Sequence, residues 1–219
     1  MTGRRTSPFK RELTGVRPRI LCETPASKIP PVFTPLTPQE IADEFVSGRV
    51  LNDRNAEALQ LRGVDGQETS ALRRDRVRFE HDGCFDFVRN VSEVAPDIEH
   101  AFMILAHNAF REVDDIVAWQ PNSGRTAPWL RRVSMLGAEN LYAPRLRHDG
   151  ALRVHTSILE WLRAGRDGIV ILDAERARPY LIDLGPLLVG DVKQGSALRR
   201  QLSHTGPRIL VMQSSEASA

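Results

Sequence analysis

The stretch Arg76-Val77-Arg78-Phe79-Glu80-His81-Asp82-Gly83-Cys84-Phe85-Asp86-Phe87-Val88-Arg89 decides how this chain is read. Apolar and charged residues alternate on both sides of His81-Asp82-Gly83, which is the period of a half-buried strand. A three-residue loop at 81–83 sets Phe79 opposite Phe85 and Val77 opposite Phe87. All four then share one face, with Gly83 at the left-handed position such a loop requires. A two-residue Asp82-Gly83 turn would instead set Phe79 against Asp86. An antiparallel hairpin that buries aromatics is therefore predicted over residues 76–89.

Ahead of the hairpin the pattern is helical. Thr37-Pro38-Gln39-Glu40 forms a capping box with proline in the first turn, Ile41, Phe45 and Val46 supply an apolar stripe, and Gly48 stops it. A second short helix follows Asn52-Asp53, through Ala56, Leu59 and Leu61 to Gly63. The spacing is too loose for a helix-turn-helix, and no third helix is evident. Behind the hairpin, Ile98, Ala101, Phe102, Leu105, Ala109 and Val113 stand at helical spacing, yet Asp115-Ile116-Val117-Ala118-Trp119 runs into the turn Pro121-Asn122-Ser123-Gly124. Two strands, 101–106 and 114–119, joined around Asn108, extend the hairpin into an antiparallel sheet.

The last 70 residues change rhythm. Leu152–His155 reads as a strand, and Ser157-Ile158-Leu159-Glu160 opens a helix that Gly165 closes. Trp161 sits among Ile158, Leu159 and Leu162 and belongs to the core. Ile169–Leu172 and Pro186–Val189 are short and apolar, as buried parallel strands are. Asp173 caps a helix that Pro179 shortens, Gly190-Asp191 opens another over 192–203, and Arg208–Met212 closes the series. The fold class expected is α+β: short helices and antiparallel hairpins first, then a C-terminal parallel βαβαβ-type unit. The division expected is a disordered basic arm and Pro-rich linker over 1–36, a helical and hairpin region over 37–93, an α/β domain over 94–212 and a disordered tail over 213–219.

Charge is unevenly spread. Residues 1–38 hold seven basic and two acidic residues, a net +5, while the remainder is −3 within a total of +2. Of the 30 basic residues 27 are arginine, the better bidentate ligand for phosphate. The arm, with Arg4, Arg5, Lys10 and Arg11, is expected either to be a solvated tail or to contact DNA or RNA by displacing counterions. Pro30–Pro38 reads as an extended linker whose Pro35-x-x-Pro38 would suit an aromatic groove of a protein partner. The longest apolar run, Ala101–Ala106, is six residues against the ~20 that a membrane span needs. With two cysteines, Cys22 and Cys84, a disulfide scaffold is excluded, and the basic start without an apolar stretch predicts a cytoplasmic protein.

The P-loop, the dinucleotide-binding glycine fingerprint, Gly-x-Ser-x-Gly, His-Glu-x-x-His and Cys-x-x-Cys do not occur. A Toprim-like metal site would need a glutamate at an earlier strand end and a later Asp-x-Asp, and both are missing. The catalytic candidates left are Asp173, Asp191 and His155, which the expected topology brings to the carboxyl edge of the parallel strands. No cofactor is expected; the alternative is Mg²⁺ held by Asp173 and Asp191 for phosphate chemistry, with His155 as general base. The same two aspartates also suit helix caps. His81 and His148 both fall in His-Asp-Gly, a turn signal rather than a metal site. Trp129 is ringed by Arg125, Arg131 and Arg132, a combination suited to stacking on a base beside phosphates. The sequence thus favours an accessory protein touching nucleic acid through its arm and this loop, with a metal-dependent phosphate-processing enzyme as the alternative.

Overall fold

A computed structural model describes residues 35–203 apart from 91, 93, 94, 144–146, 149 and 183. Ten strand residues at Ile98–His107 (β4) make the spine of a six-stranded antiparallel sheet. The others are Arg49–Val50 (β1), Arg73–Phe79 (β2), Phe85–Phe87 (β3), Val113–Trp119 (β5) and Thr126–Pro128 (β6). Their order is β1-β2-β4-β5-β6, with β3 paired to β2. The hairpin has the expected register, Phe79 opposite Phe85 and Val77 opposite Phe87, and Gly83 adopts φ +87° at the loop. Backbone pairing between β2 and β4 runs from Arg73–Met103 to Arg78–Ile98. This sheet therefore takes strands from both sides of residue 93.

Pro38–Ser47 (α1) forms behind the capping box, in which Thr37 and Glu40 satisfy each other's backbone N–H groups. Pro38 is the first residue of that helix, and Leu36 packs against the same apolar cluster. The last part of the proline-rich stretch is thus a helix start rather than extended chain. Ile41 and Phe45 bury one face of the sheet together with Val77, Phe79, Phe85, Ala101, Met103, Ile116 and Ala118. Asp53–Gln60 (α2) follows its Asn52 cap as expected. A third short helix, Gly66–Ser70 (α3), is present although the sequence did not signal it. Its five residues contain a glycine and two hydroxyl side chains, so tertiary contact with α2 rather than propensity forms it.

The second sheet holds Met135–Leu136 (β7), Arg147–His148 (β8), Ala151–His155 (β9), Ile169–Ile171 (β10) and Leu187–Leu188 (β11). Its path is β11-β9-β10-β7, with β8 paired to β9. β9 lies parallel to both β10 and β11, whereas β7 runs antiparallel to β10. The helices between them are Ile158–Arg163 (α4), Ala174–Leu181 (α5) and Val192–Leu202 (α6). The protein is thus an α+β fold whose C-terminal part contains the parallel βαβαβ unit; the strand expected over Arg208–Met212 lies outside the described residues.

Opposite α1, the first sheet contributes Ile104, Ala106, Val117 and Trp119 to a cluster completed by Leu59, Leu136, Ile158, Trp161, Leu162 and Val170. Trp161 is fully buried, and its Nε1 donates to the Gly168 carbonyl at 3.2 Å. That carbonyl also caps the approach of Gly137 (φ +77°), where an added Cβ would lie 2.3 Å from it, so only glycine fits there. A third cluster, with Leu152, Val154, Ile169, Ala177 and Leu181, seals the other side of the second sheet. Among the described residues no helix is long and apolar enough to cross a membrane.

Candidate functional site

Asp173, Asp191 and His155 all fall at the carboxyl edge of the parallel strands. β9 lies between β10 and β11, so the two aspartates do not follow neighbouring strands. Strands two positions apart in a sheet are separated by about 10 Å. The Asp173 carboxylate accepts from Glu175 N and Arg176 N, both at 3.1 Å, and caps α5. The Asp191 carboxylate accepts from Gln194 N at 2.7 Å and caps α6. His155 Nε2 donates to the Asp167 carbonyl at 2.7 Å, since a carbonyl can only accept. Each side chain is therefore engaged with the backbone next to it. Among the described residues no group of three or more His, Cys, Asp or Glu could hold a metal ion.

Arg4, Arg5, Lys10 and Arg11 lie outside the described residues. The 125–132 segment forms β6 and a tight return over the α1 face of the sheet. Trp129 is half-buried there, its ring edge-to-face with Phe87 at 5.1 Å and its backbone N–H donating to Ile116 O at 2.8 Å. Arg125 lies 4.4 Å over the Phe79 ring while Nη1 donates to Glu99 at 3.0 Å. Arg132 Nη1 donates to the Leu36 carbonyl at 2.8 Å, which ties the segment to the entry of α1. Arg131, at φ +56°, is exposed and 3.8 Å from Asp82.

What holds this segment is Asp115, which is 0% exposed. Its carboxylate accepts N–H groups from Leu130 and Arg132 at 2.9 Å and from Ile116 at 2.8 Å. Burial raises its pKa above the ordinary carboxylate value, and the backbone N–H groups oppose that rise. The sequence offered no sign of this role, because Asp115 stands in the strand register where only pairing with β4 and β6 shows which side is closed.

The opposite face of the sheet carries a charge cluster that sequence reading missed. In β2 the residues Arg74, Arg76 and Arg78 alternate with Asp75, Val77 and Phe79, and the latter two point into the α1 cluster. Register places Arg49 of β1 opposite Arg74, Phe102 opposite Arg74 on the other side, and His100 opposite Arg76. Arg78 pairs with Asp97, and Arg76 Nη1 donates to Asn90 O at 3.0 Å. Arg49 and Arg74 have no carboxylate and no hydrogen-bond acceptor among the described residues. His100 is exposed, and its pKa is lowered from the usual imidazole value by partial burial first, then by the charges of Arg74, Arg76 and Arg49.

A cavity of about 370 Å³ adjoins this cluster, walled by α2, β2, β4 and the turn after β5. Arg62 and Asn122 meet across its rim, Arg62 Nη2 donating to Asn122 Oδ1 at 3.2 Å. The alternation in 73–79 was the available signal: it shows that three arginines share a face. It does not show which strands flank them.

No family model matches the chain, and no curated protein matches its sequence. Among solved structures, the crystal structure of the Aquifex aeolicus primase (zinc-binding and RNA polymerase domains) is similar at a TM-score of 0.40 and 13% identity. The likeness covers 78% of this chain and 62% of that one, less than two thirds of its length. Likeness of that degree decides neither fold nor function.

Proposed function

We propose that this protein is an accessory protein that binds nucleic acid through the arginine-bearing face of its six-stranded sheet. The observation that carries this reading is the pair Arg49 and Arg74, held directly opposite each other with no carboxylate paired to either among the described residues. Like charges at opposed positions of antiparallel strands destabilise a sheet. A surface that keeps such a pair, with Arg76 and His100 one row along, is matched by a ligand that brings negative charge at short intervals. Arginine side chains meet phosphate oxygens with paired N–H groups, and a polynucleotide presents a row of them. Arg4, Arg5, Lys10 and Arg11 of the basic arm add cations to the same ligand, and Arg131 is the exposed member of the 125–132 segment. Arg125, Trp129 and Arg132 contribute to the fold of that segment through their bonds to Glu99, Ile116 and Leu36.

The test is fluorescence anisotropy with labelled DNA and RNA over a salt series. The full chain is compared with R49Q/R74Q, with R125A/W129A/R131A, and with a chain lacking residues 1–36. The logarithm of affinity falls with the logarithm of salt by ~0.7 to 0.9 per phosphate contacted. R49Q/R74Q is expected to reduce that slope by about two contacts and the affinity with it. Absence of binding at low salt by the full chain would overturn the reading. Loss only in the 125–132 variant would move the interface to the other face of the sheet.

A further inference from the structure

The cavity beside the arginine face has a lining that phosphate contacts alone do not account for. We infer that it takes one unstacked nucleotide, and hence that the nucleic acid bound is single-stranded; the inference rests on the nucleic-acid reading above and adds a base to its phosphates. Three features of the wall support it.

The first is an aromatic ring. Phe102 is half-buried, lines the cavity and stands opposite Arg74 in register, with Trp119 tilted against it at a 6.0 Å centroid separation. Directly opposed side chains begin ~5 Å apart, so the ring and the arginine start from adjacent positions on the sheet, one suited to a base and the other to a phosphate. An aromatic face accepts any base by stacking, without sequence preference.

The second is an orphaned donor. Asn55 lies on the opposite wall, and its Nδ2 is buried without a hydrogen-bond partner among the described residues. Buried polar groups are nearly always satisfied, so this donor is open to an acceptor that the described residues do not supply, a water or a ligand group. The carbonyls and ring nitrogens of a nucleobase are such acceptors. The third is the sign of the charge. Arg62, Arg74 and His100 line the cavity, and the carboxylate of the remaining charged residue, Glu99, is bound to Arg125 on the other face of the sheet. At about 370 Å³ the cavity falls in the range of small-ligand sites. A duplex keeps its bases stacked and paired, and filling the cavity from one would require flipping a nucleotide out.

The experiment separates base from phosphate. Affinity of the full chain is measured for octathymidylate, for an octamer of the same phosphate count whose sugars carry no bases, and for a blunt duplex of that length. The natural octamer is expected to bind about tenfold more tightly than the abasic one, in line with one stacked base. Phe102→Leu, which keeps an apolar side chain but removes the ring face, should bring that ratio towards one with the salt slope unchanged. Because Phe102 also touches the core, Asn55→Ala provides a second variant at a side chain with no hydrogen bond among the described residues to lose. It should lower the ratio in the same way. A wild-type ratio near one, or a duplex bound as tightly as the single strand, overturns the inference while leaving phosphate binding intact. Failure of the full chain to bind any of the three overturns the nucleic-acid reading itself. Octauridylate measured in parallel supports the inference if it, too, outbinds an abasic strand.

Discussion

Arg49 and Arg74 face each other across the β1–β2 ladder, cation against cation, on a strand edge two residues long. A short antiparallel edge ordinarily gains from opposed charges of different sign. Here the edge accepts an unfavourable pair, and Arg76 and His100 extend it. If this face binds nucleic acid as proposed, binding and stability are opposed at this place.

The opposition is measurable. Arg74→Gln removes one of the two charges, so the free protein should gain up to about 1 kcal/mol at low salt, while its affinity for nucleic acid falls. Thermal melts and anisotropy on the same sample give both quantities. A variant that loses stability as well as affinity would show that Arg74 makes a structural contribution and that the pair is not under strain.

His100 gives the surface a pH dependence. Partial burial first, then the charges of Arg74, Arg76 and Arg49, depress its pKa in the folded protein, while Asp75 opposes them. The unfolded chain therefore takes up a proton first as the pH falls through the ordinary histidine range near 6.5. Stability contributed at this site is full above that range and declines below it. Phosphate reverses the sign, because it favours the imidazolium. Affinity should rise as the pH falls from 8 to 6 in the wild type and rise less in His100→Gln, with Tm of the free protein showing the opposite trend. Identical pH profiles for the two proteins would remove His100 from the surface.

Asp115 should be the most sensitive acidic residue in the fold. Asp115→Ala leaves the N–H groups of Leu130, Arg132 and Ile116 without their acceptor, and a buried orphaned donor costs roughly 1–3 kcal/mol. A loss of at least about 2 kcal/mol is expected in urea unfolding, with a changed near-ultraviolet signal from Trp129. A small loss would mean that water replaces the carboxylate and that the 125–132 segment is held by its side-chain contacts instead.

Asp173 and Asp191 are predicted to act as caps. Asparagine is an equally good cap, so Asp173→Asn and Asp191→Asn should melt close to the wild type, whereas alanine at either position should cost ~0.5–2 kcal/mol. Added Mg²⁺ should leave Tm unchanged in all four variants. A Tm that climbs with Mg²⁺ in the wild type, and not in the double asparagine variant, would instead assign the carboxylates to a cation.

Local chemistry carried much of the architecture. The capping box at Thr37, the caps at Asn52, Ser157, Asp173 and Asp191, and the Phe79–Phe85 register are interactions between residues a few positions apart. Their geometry follows from side-chain type and spacing, so they are legible in the chain itself. The same holds for the parallel strand 169–171, which is apolar throughout, and for 152–155, where Leu152 and Val154 are buried and Arg153 and His155 alternate with them. What lies between distant segments was decided by the tertiary structure alone. α3 and β6 are too short to announce themselves and are held by their contacts with α2 and β5. β9 enters between β10 and β11, which separates two aspartates that the linear order places at one edge. The arginine face exists only because β1 pairs with β2 and β2 with β4, bringing Arg49, Arg74 and His100 from three separate segments onto one surface. Alternation assigns each of these residues to a side of its own strand; only long-range pairing, set by which apolar faces can be buried together, assigns the strands to one another.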